Sequence, residues 1–468
     1  MNEYGASGSG CRTGDNSETI NVENPATNEI IGTVRNFGKD EVDRAIGKGG
    51  EAFEGWKRTS LNDRRIVLLK MAEVLDTYRE ELASTLVLEV GKPLPEARHE
   101  VMSAARVFRT FAHMPIERST ISDDEGTHIY VSRKPLGVAS LILPWNYPLA
   151  VLSWKLAPAL LAGNGVVVKP SPYTPLNTMG FVSRTAGILP DHLVQVLTGD
   201  DQTGEHLVRS SAIRKIAFTG SMATGKRILA ESSQTIKRVS LELGGNDPAI
   251  ILKDFDLDQT PSVFWSSFMN AGQICIAVKR VYVHESIVSE FLDRYVRIAK
   301  GVKIGNGMDD GIQMGPVNNP EQLGFVEELV EDARNFGCTI LTGGERVAGP
   351  GYFYKPTVIS GADDGTRIVR EEQFGPVVPI LTFSDIDEVV DRANSPEYGL
   401  GASVWTSDIQ KGIRVADQFE SGTAWVNTHM VVDPSAPFGG VKGSGIGREL
   451  GIQGFDEYCD MQTIHVKK

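Results

Sequence analysis

Three residues combine reactive side chains with surroundings that would alter them. Cys275, in NAGQICIAVKR, lies in a glycine-containing loop just after a predicted helix. Its thiol is a nucleophile in an activating setting and an inert small hydrophobe in a buried one, and composition alone leaves both readings open. Glu242 ends a strand-like run in LELGGND, where apolar neighbours raise a carboxyl into the range of a general base. A solvated strand-end glutamate is the other reading. Asn146, in LPWNYP, is either a neutral donor to an oxyanion or a turn residue between prolines. The other cysteines, Cys11, Cys338 and Cys459, show no CxxC spacing and no nearby His pair, so no metal site and no disulfide framework is expected. Free thiols point to a reducing compartment, and the expected location is cytoplasmic.

Two glycine clusters bear on nucleotide binding. GSMATGKR, from Gly220 to Arg227, is one residue away from a phosphate-binding P-loop. Arg227 stands where the magnesium-binding hydroxyl belongs, which argues against a nucleotide triphosphatase. What survives is a glycine-rich turn between a strand and a helix, whose free N–H groups suit an anion such as a pyrophosphate. The second cluster, GSGIGRELG, lacks the G-x-G-x-x-G spacing and reads as a backbone-packing loop.

These residues need elements to hold them. From Asp40 to Met114 apolar residues recur at helical spacing with charges opposite, which predicts long amphipathic helices. The turn-forming SDDEG and the alternating THIYVSRKPLGV predict a hairpin standing apart. VASLILPW, GVVVKPS, LVQVLTG, IRKIAFTG and KRVSLELGG then alternate with helical stretches, the pattern of a parallel, doubly wound α/β sheet that binds nucleotides at the carboxyl ends of its strands. After Gly245 a second α/β domain is predicted: PAIILKD, the helix TPSVFWSSFMNAG, RVYVHESI, PVVPILTF, GLGASVWT and GTAWVNT.

The whole-chain arithmetic agrees. At 468 residues the length fits about three units of ~150 residues. With 41% hydrophobic residues there is enough apolar material for large cores. The 60 acidic against 47 basic side chains give a net charge of −13, which repels phosphate backbones and argues against nucleic acid as a partner. The apolar stretch from Val138 to Val168 is broken by Pro144, Asn146, Pro148, Lys155, Pro158 and Asn164, so it reads as core and not as a membrane span. The polar, Gly/Ser-rich N-terminus lacks a secretory core and reads as a disordered arm.

Taken together, LPWNYP, VVVKPSPYTP, FTGSMATG, LELGGNDP, GQIC, EEQFGPVVP, YGLGASVW and PFGGVKGSGIGRELG resemble the aldehyde dehydrogenase superfamily, in its order and from about Asn24 to the end. The resemblance implies an arm at 1–20, a Rossmann-like dinucleotide-binding domain at 21–115 and 135–244, a catalytic domain at 245–445, and an oligomerisation element at 116–134 and 446–468. It implies a homo-oligomer, dimer or tetramer, and a hydrolytic mechanism. Cys275 attacks an aldehyde, Asn146 and a backbone N–H hold the oxyanion, hydride passes to NAD or NADP, and Glu242 activates the water that cleaves the thioester. Lys155 and Glu449 match positions that support proton transfer and positioning, with a surface ion pair as the other reading.

For the cofactor, the resemblance carries Lys169 to the adenosine ribose with Ile142 and Trp145 beside it, Gly220 and Ser221 to the pyrophosphate, Gly225 to the cofactor site, and Glu372 and Phe374 to the nicotinamide ribose. Three residues past Lys169, where NAD-preferring relatives often place a glutamate, stands Pro172. With Lys169 and Ser171 nearby, NADP use becomes credible. A second departure is Asp460, where many relatives have a glutamate, with an expected weakening of an ion pair to Arg448.

By position, the aldehyde tunnel is lined by Tyr147, Trp154, Met269, Ile274, Ile276, Val432 and Phe438. This set is almost wholly apolar and holds no arginine to clamp a distal carboxylate. A neutral aliphatic or aromatic aldehyde of moderate size is the expected substrate. A semialdehyde dehydrogenase, a CoA-acylating dehydrogenase and a non-catalytic nucleotide-binding protein are the alternatives; Glu242 favours hydrolysis over acylation of CoA.

Overall fold

The computed structural model describes residues 19–116 and 119–468. Cys11 and nearly all of the expected arm lie outside that range, and Thr19 and Ile20 already belong to a strand, Thr19–Glu23, paired with Ile30–Arg35.

The first large sheet runs in the order Gly445–Ile446, Arg238–Glu242, Ile213–Thr219, Val138–Ile142, Gly165–Lys169 and Val194–Val196. Its strands are parallel except for the Gly445–Ile446 edge. Every residue of Val138–Ile142 and Gly165–Lys169 is buried, as expected of a parallel sheet covered on both faces. One cover is the Pro148–Ala162 helix, with Leu152, Leu156 and Leu160 in a core shared with Leu68, Met71 and Leu75 and with Phe108 and Phe111. Those last residues come from the N-terminal helices Leu61–Thr77 and Leu94–His113, whose apolar spacing foretold the packing.

The second sheet runs Thr339–Thr342, Thr357–Ser360, Val377–Phe383, Val278–His284, Asp247–Ile251, Gly401–Trp405 and Thr423–Val426, parallel but for the first pair. Phe264, Phe268, Tyr295 and Trp405 fill one face and Leu323, Val326, Leu329 and Tyr282 the other. Only Leu243 to Asn246 separates the last parallel strand of the first sheet from the Asp247–Ile251 strand of the second.

A small antiparallel sheet joins Ser119–Asp123, Thr127–Pro135 and Cys459–Lys467. Asp124 closes its turn by accepting the N–H groups of Gly126 and Thr127 at 3.0 and 2.8 Å. The stretch before the last strand returns to the main body, because Gly445–Ile446 pairs with Arg238–Glu242 and Phe455 is buried in the first core. Asp460 pairs with Arg238 at 3.1 Å and not with Arg448, whose guanidinium donates to the Gly440 and Gly447 carbonyls instead. Among the described residues no helix is long and apolar enough to cross a membrane.

Candidate active site

The helix expected to run to Gly272 ends at Phe268. Asn270, Ala271 and Gly272 follow with φ of 49°, 54° and 73°. Left-handed backbone at residues other than glycine costs roughly 1–3 kcal/mol each and persists only where neighbours hold it. Here they do. The Asn270 N–H donates to Glu96 at 3.0 Å, the Gln273 amide donates to the Asn270 carbonyl at 2.8 Å, and the Gln273 side-chain oxygen accepts the Asn318 N–H at 2.8 Å. The buried Lys279 ammonium then donates to the carbonyls of Ile274 and Cys275, both at 2.7 Å. Cys275 is thereby fixed at the wall of a cavity with its side chain partly accessible.

Glu242 closes the Arg238–Glu242 strand and is 2% exposed. Burial pushes its carboxyl up to about 8, opposed by the charge of Lys155 and by the neighbouring Cys275 thiol. Burial and the Glu242 charge push the Cys275 thiol well above its usual range. At neutral pH the resting pair is therefore a thiol beside a mostly protonated carboxyl, and the ionised minority of Glu242 is the form that can take the proton as the sulfur attacks. Gly245 makes the approach possible, since a Cβ there would lie 2.5 Å from the Cys275 carbonyl oxygen. Behind Glu242, Lys155 and Glu449 form an ion pair whose side chains are 0% and 5% exposed, which overturns the surface reading.

Asn146 leaves the Val138–Ile142 strand just before the Pro148–Ala162 helix and faces the same cavity. One of its two amide hydrogens goes to the Gln273 carbonyl at 2.9 Å, leaving the other for an acceptor in the cavity. Its own carbonyl takes the Lys92 ammonium at 2.9 Å, and Lys92 is paired with Glu100 at 2.6 Å, both fully buried. Glu100 also caps the N-terminus of the next helix through the N–H groups of Leu149 and Ala150.

The cavity measures about 920 Å³ and has two arms meeting at Cys275 and Glu242. Along the carboxyl ends of the first sheet it is walled by Ile142, Trp145, Lys169, Ser171, Gly220 and Ser221, with Glu372 and Phe374 closing from the second domain. Trp145 and Phe374 meet edge to face at 5.2 Å. Glu372 is held by the Gly245 N–H at 3.1 Å and by Lys279 at 3.4 Å. Ser221 caps the Met222–Ser232 helix, and Gly225 lies one layer behind the wall, where a Cβ would come 2.6 Å from Leu243. Helix and strand end close up there, turning the helix N–H groups to the cavity, a cradle that fits a dinucleotide pyrophosphate.

The second arm is walled by Tyr147, Trp154, Met269, Ile274, Ile276 and Val432. Phe438 is not on this wall: it is 2% exposed and packs behind Trp154 at 5.1 Å. His99, Ser103 and Met430 line the arm without having been foreseen, and among the described residues no lysine or arginine does. Reading the sequence also missed Lys279, Gln273, Glu96 and Lys92, whose side chains hold the cysteine loop and Asn146. Lys279 sits four residues past Cys275, and that spacing was the one available signal.

A family model described as "Aldehyde dehydrogenase family" matches residues 12–464. The chain is 39% identical to the mitochondrial aldehyde dehydrogenase of Leishmania tarentolae, covering 96% of this chain and 91% of that one. It is 37% identical to a mitochondrial succinate-semialdehyde dehydrogenase of Oryza sativa subsp. japonica, covering 96% and 86%. Among solved structures it is similar to the NAD+ complex of an aldehyde dehydrogenase from Bacillus cereus, with a TM-score of 0.94, 37% identity and coverage of 96% and 93%.

Proposed function

The chain belongs to the aldehyde dehydrogenase family and is an NAD(P)-dependent enzyme; within that family we propose that it oxidises a neutral aliphatic or aromatic aldehyde of moderate size to its carboxylic acid, with Cys275 as nucleophile and Glu242 as base. The placement of Cys275 on one cavity wall with a buried carboxyl near pKa 8, whose charge bears on the thiol, carries this reading. As the sulfur attacks the carbonyl carbon, Glu242 takes its proton, and the developing alkoxide meets the free N–H of Asn146. Lys169, the Ser221 helix end and Glu372 would hold a dinucleotide, which when bound would supply the hydride acceptor that converts the Cys275 adduct to a thioester. Glu242, having passed its proton on toward solvent, then draws one from a water that attacks the thioester, and the sulfur departs to take up a proton again. The buried Lys155 and Glu449 pair lies behind Glu242, where it tunes that carboxyl and supports the proton's exit.

The apolar second arm supports the substrate class. A distal carboxylate entering it would find no cation on the wall, while Tyr147, Trp154 and Ile274 offer an aliphatic or aromatic body contact. The small antiparallel sheet, with Ile121, Met461 and Val466 exposed and two free edges, supports assembly as a homo-oligomer. We place the enzyme in the cytoplasm, where reducing conditions keep Cys275 a thiol. An aldehyde panel read by cofactor reduction tests the substrate. The highest kcat/KM is expected for a neutral aldehyde, and a charged semialdehyde at the top of the ranking would overturn this assignment.

A further inference from the structure

The sequence after Lys169 lacks a carboxylate, since Pro172 occupies the third position, and this made NADP credible. The structure supplies two carboxylates to that end of the cavity from another element. Lys169 lies along the Asp201–Arg209 helix, where a Cβ at Gly204 would come 3.5 Å from its Cδ and Cε. The first turn of that helix carries Asp201 and the next turn carries Glu205; both are exposed, and both line the cavity beside Lys169 and Ser171.

We infer that the enzyme selects NAD+ over NADP+ through Asp201 and Glu205, with Asp201 and Lys169 forming the acceptor and donor that take the adenosine ribose hydroxyls. This rests on assigning this arm of the cavity to the dinucleotide.

The two acids are not equivalent. Asp200, next to Asp201, is spent as the helix cap, accepting the Gln202 N–H at 2.8 Å and the Asn36 amide at 3.1 Å. Asp201 has no such duty, and its charge bears on Lys169. Glu205 is paired with Arg209 at 2.6 Å, yet its carboxylate still adds negative potential to the wall. On the facing helix Arg227 adds a second cation to Lys169 on the wall, hydrogen-bonded to Thr224 at 3.3 Å, and Glu231 lies nearby. A vicinal diol can donate to Asp201 and accept from Lys169. A 2′-phosphate has no proton to donate at neutral pH and brings close to two negative charges beside Asp201, Glu205 and Glu231. Lys169 is a weakened counter-ion, because burial lowers its ammonium to about 8. The Ser171 hydroxyl accepts the Tyr173 N–H at 3.3 Å and keeps its own hydrogen to donate to a ribose hydroxyl or a phosphate alike, so it does not discriminate between them.

The test is titration calorimetry of the full chain with NAD+ and NADP+, with no aldehyde present. The wild type is expected to bind NAD+ at least tenfold more tightly. Asp201→Asn and Glu205→Gln are each expected to narrow the NADP+ to NAD+ ratio of Kd by about fivefold, which is what one carboxylate close to a near-dianion is worth at surface dielectric. Asp201→Asn should also weaken NAD+, and added salt should tighten wild-type NADP+ binding by screening the repulsion. Equal affinities in the wild type, or a ratio unmoved within twofold in both variants and in the double variant, would overturn the inference while leaving the aldehyde chemistry untouched. Failure of both dinucleotides to bind would overturn the functional reading and this inference with it.

Discussion

Glu242→Gln separates chemistry from stability in a single side chain. The parent carboxyl titrates at about 8 when folded against an ordinary 4.5. Folding therefore takes up a proton between those values, and the parent loses stability as pH rises through that window. At ~1.4 kcal/mol per pH unit, a span from 4.5 to about 8 amounts to about 5 kcal/mol, with nothing further gained or lost above 8. Glutamine cannot ionise and escapes this cost. The variant's melting temperature relative to the parent should thus climb between pH 5 and pH 8 and level off beyond. Turnover should move the opposite way. At pH 7 only about one Glu242 in ten is ionised, so parent steady-state turnover should rise about tenfold toward a plateau above pH 8. The variant should lose that dependence and fall by roughly 10²–10⁴ in turnover, with a burst of about one reduced cofactor per subunit as acyl-enzyme accumulates. A melting difference that stays flat from pH 5 to pH 8, or steady-state turnover equal to the parent's, would refute the reasoning.

Other perturbations probe the supports. Cys275→Ala should abolish aldehyde oxidation and keep dinucleotide affinity; full oxidation by this variant would exclude the cysteine mechanism. Lys155→Met should leave Glu449 buried without its partner at a cost of roughly 3–5 kcal/mol, seen as a lowered melting temperature. It should also move the turnover profile to higher pH, because Lys155 holds the Glu242 carboxyl down, and the double variant with Glu449→Gln should recover much of the stability. Lys279→Met should leave the Ile274 and Cys275 carbonyls without their donor and lower kcat at least tenfold with a smaller effect on KM; unchanged kcat would show that the loop holds itself.

Much of this was legible in the linear chain because its signals are local. Each parallel strand of the first sheet is a short apolar, β-branched run, and Glu242 and Asn146 stand at or just past ends of such runs, where parallel topology collects functional groups; the Gly445–Ile446 edge, read as a packing loop, had no such signal. The helix end at Phe268 was not legible, because Asn270 and Ala271 hold left-handed backbone where Glu96 accepts the Asn270 N–H, Gln273 donates back to the Asn270 carbonyl and Asn318 fixes Gln273, partners distant in sequence or folded back on the turn. The burial of Lys155 with Glu449 spans 294 residues and has no local trace. Phe438 and Gly225 were assigned to the cavity wall by position, but wall and backing differ by a single packing layer, and periodicity does not resolve that. Asp201 and Glu205 were invisible as cofactor neighbours because they come from a helix well downstream of the strand that Lys169 ends.

The burial and the Glu242 charge that keep Cys275 a thiol also bear on how the enzyme ages. Peroxide and alkylating agents attack the thiolate, not the thiol, and oxidation past the sulfenic stage is irreversible. By holding the sulfur protonated until a carbonyl arrives, the buried carboxyl gives the idle enzyme a resistance to oxidants that an exposed low-pKa cysteine lacks. The enzyme's vulnerable interval is then confined to turnover, so its lifetime in an oxidising cell is set by how often it works.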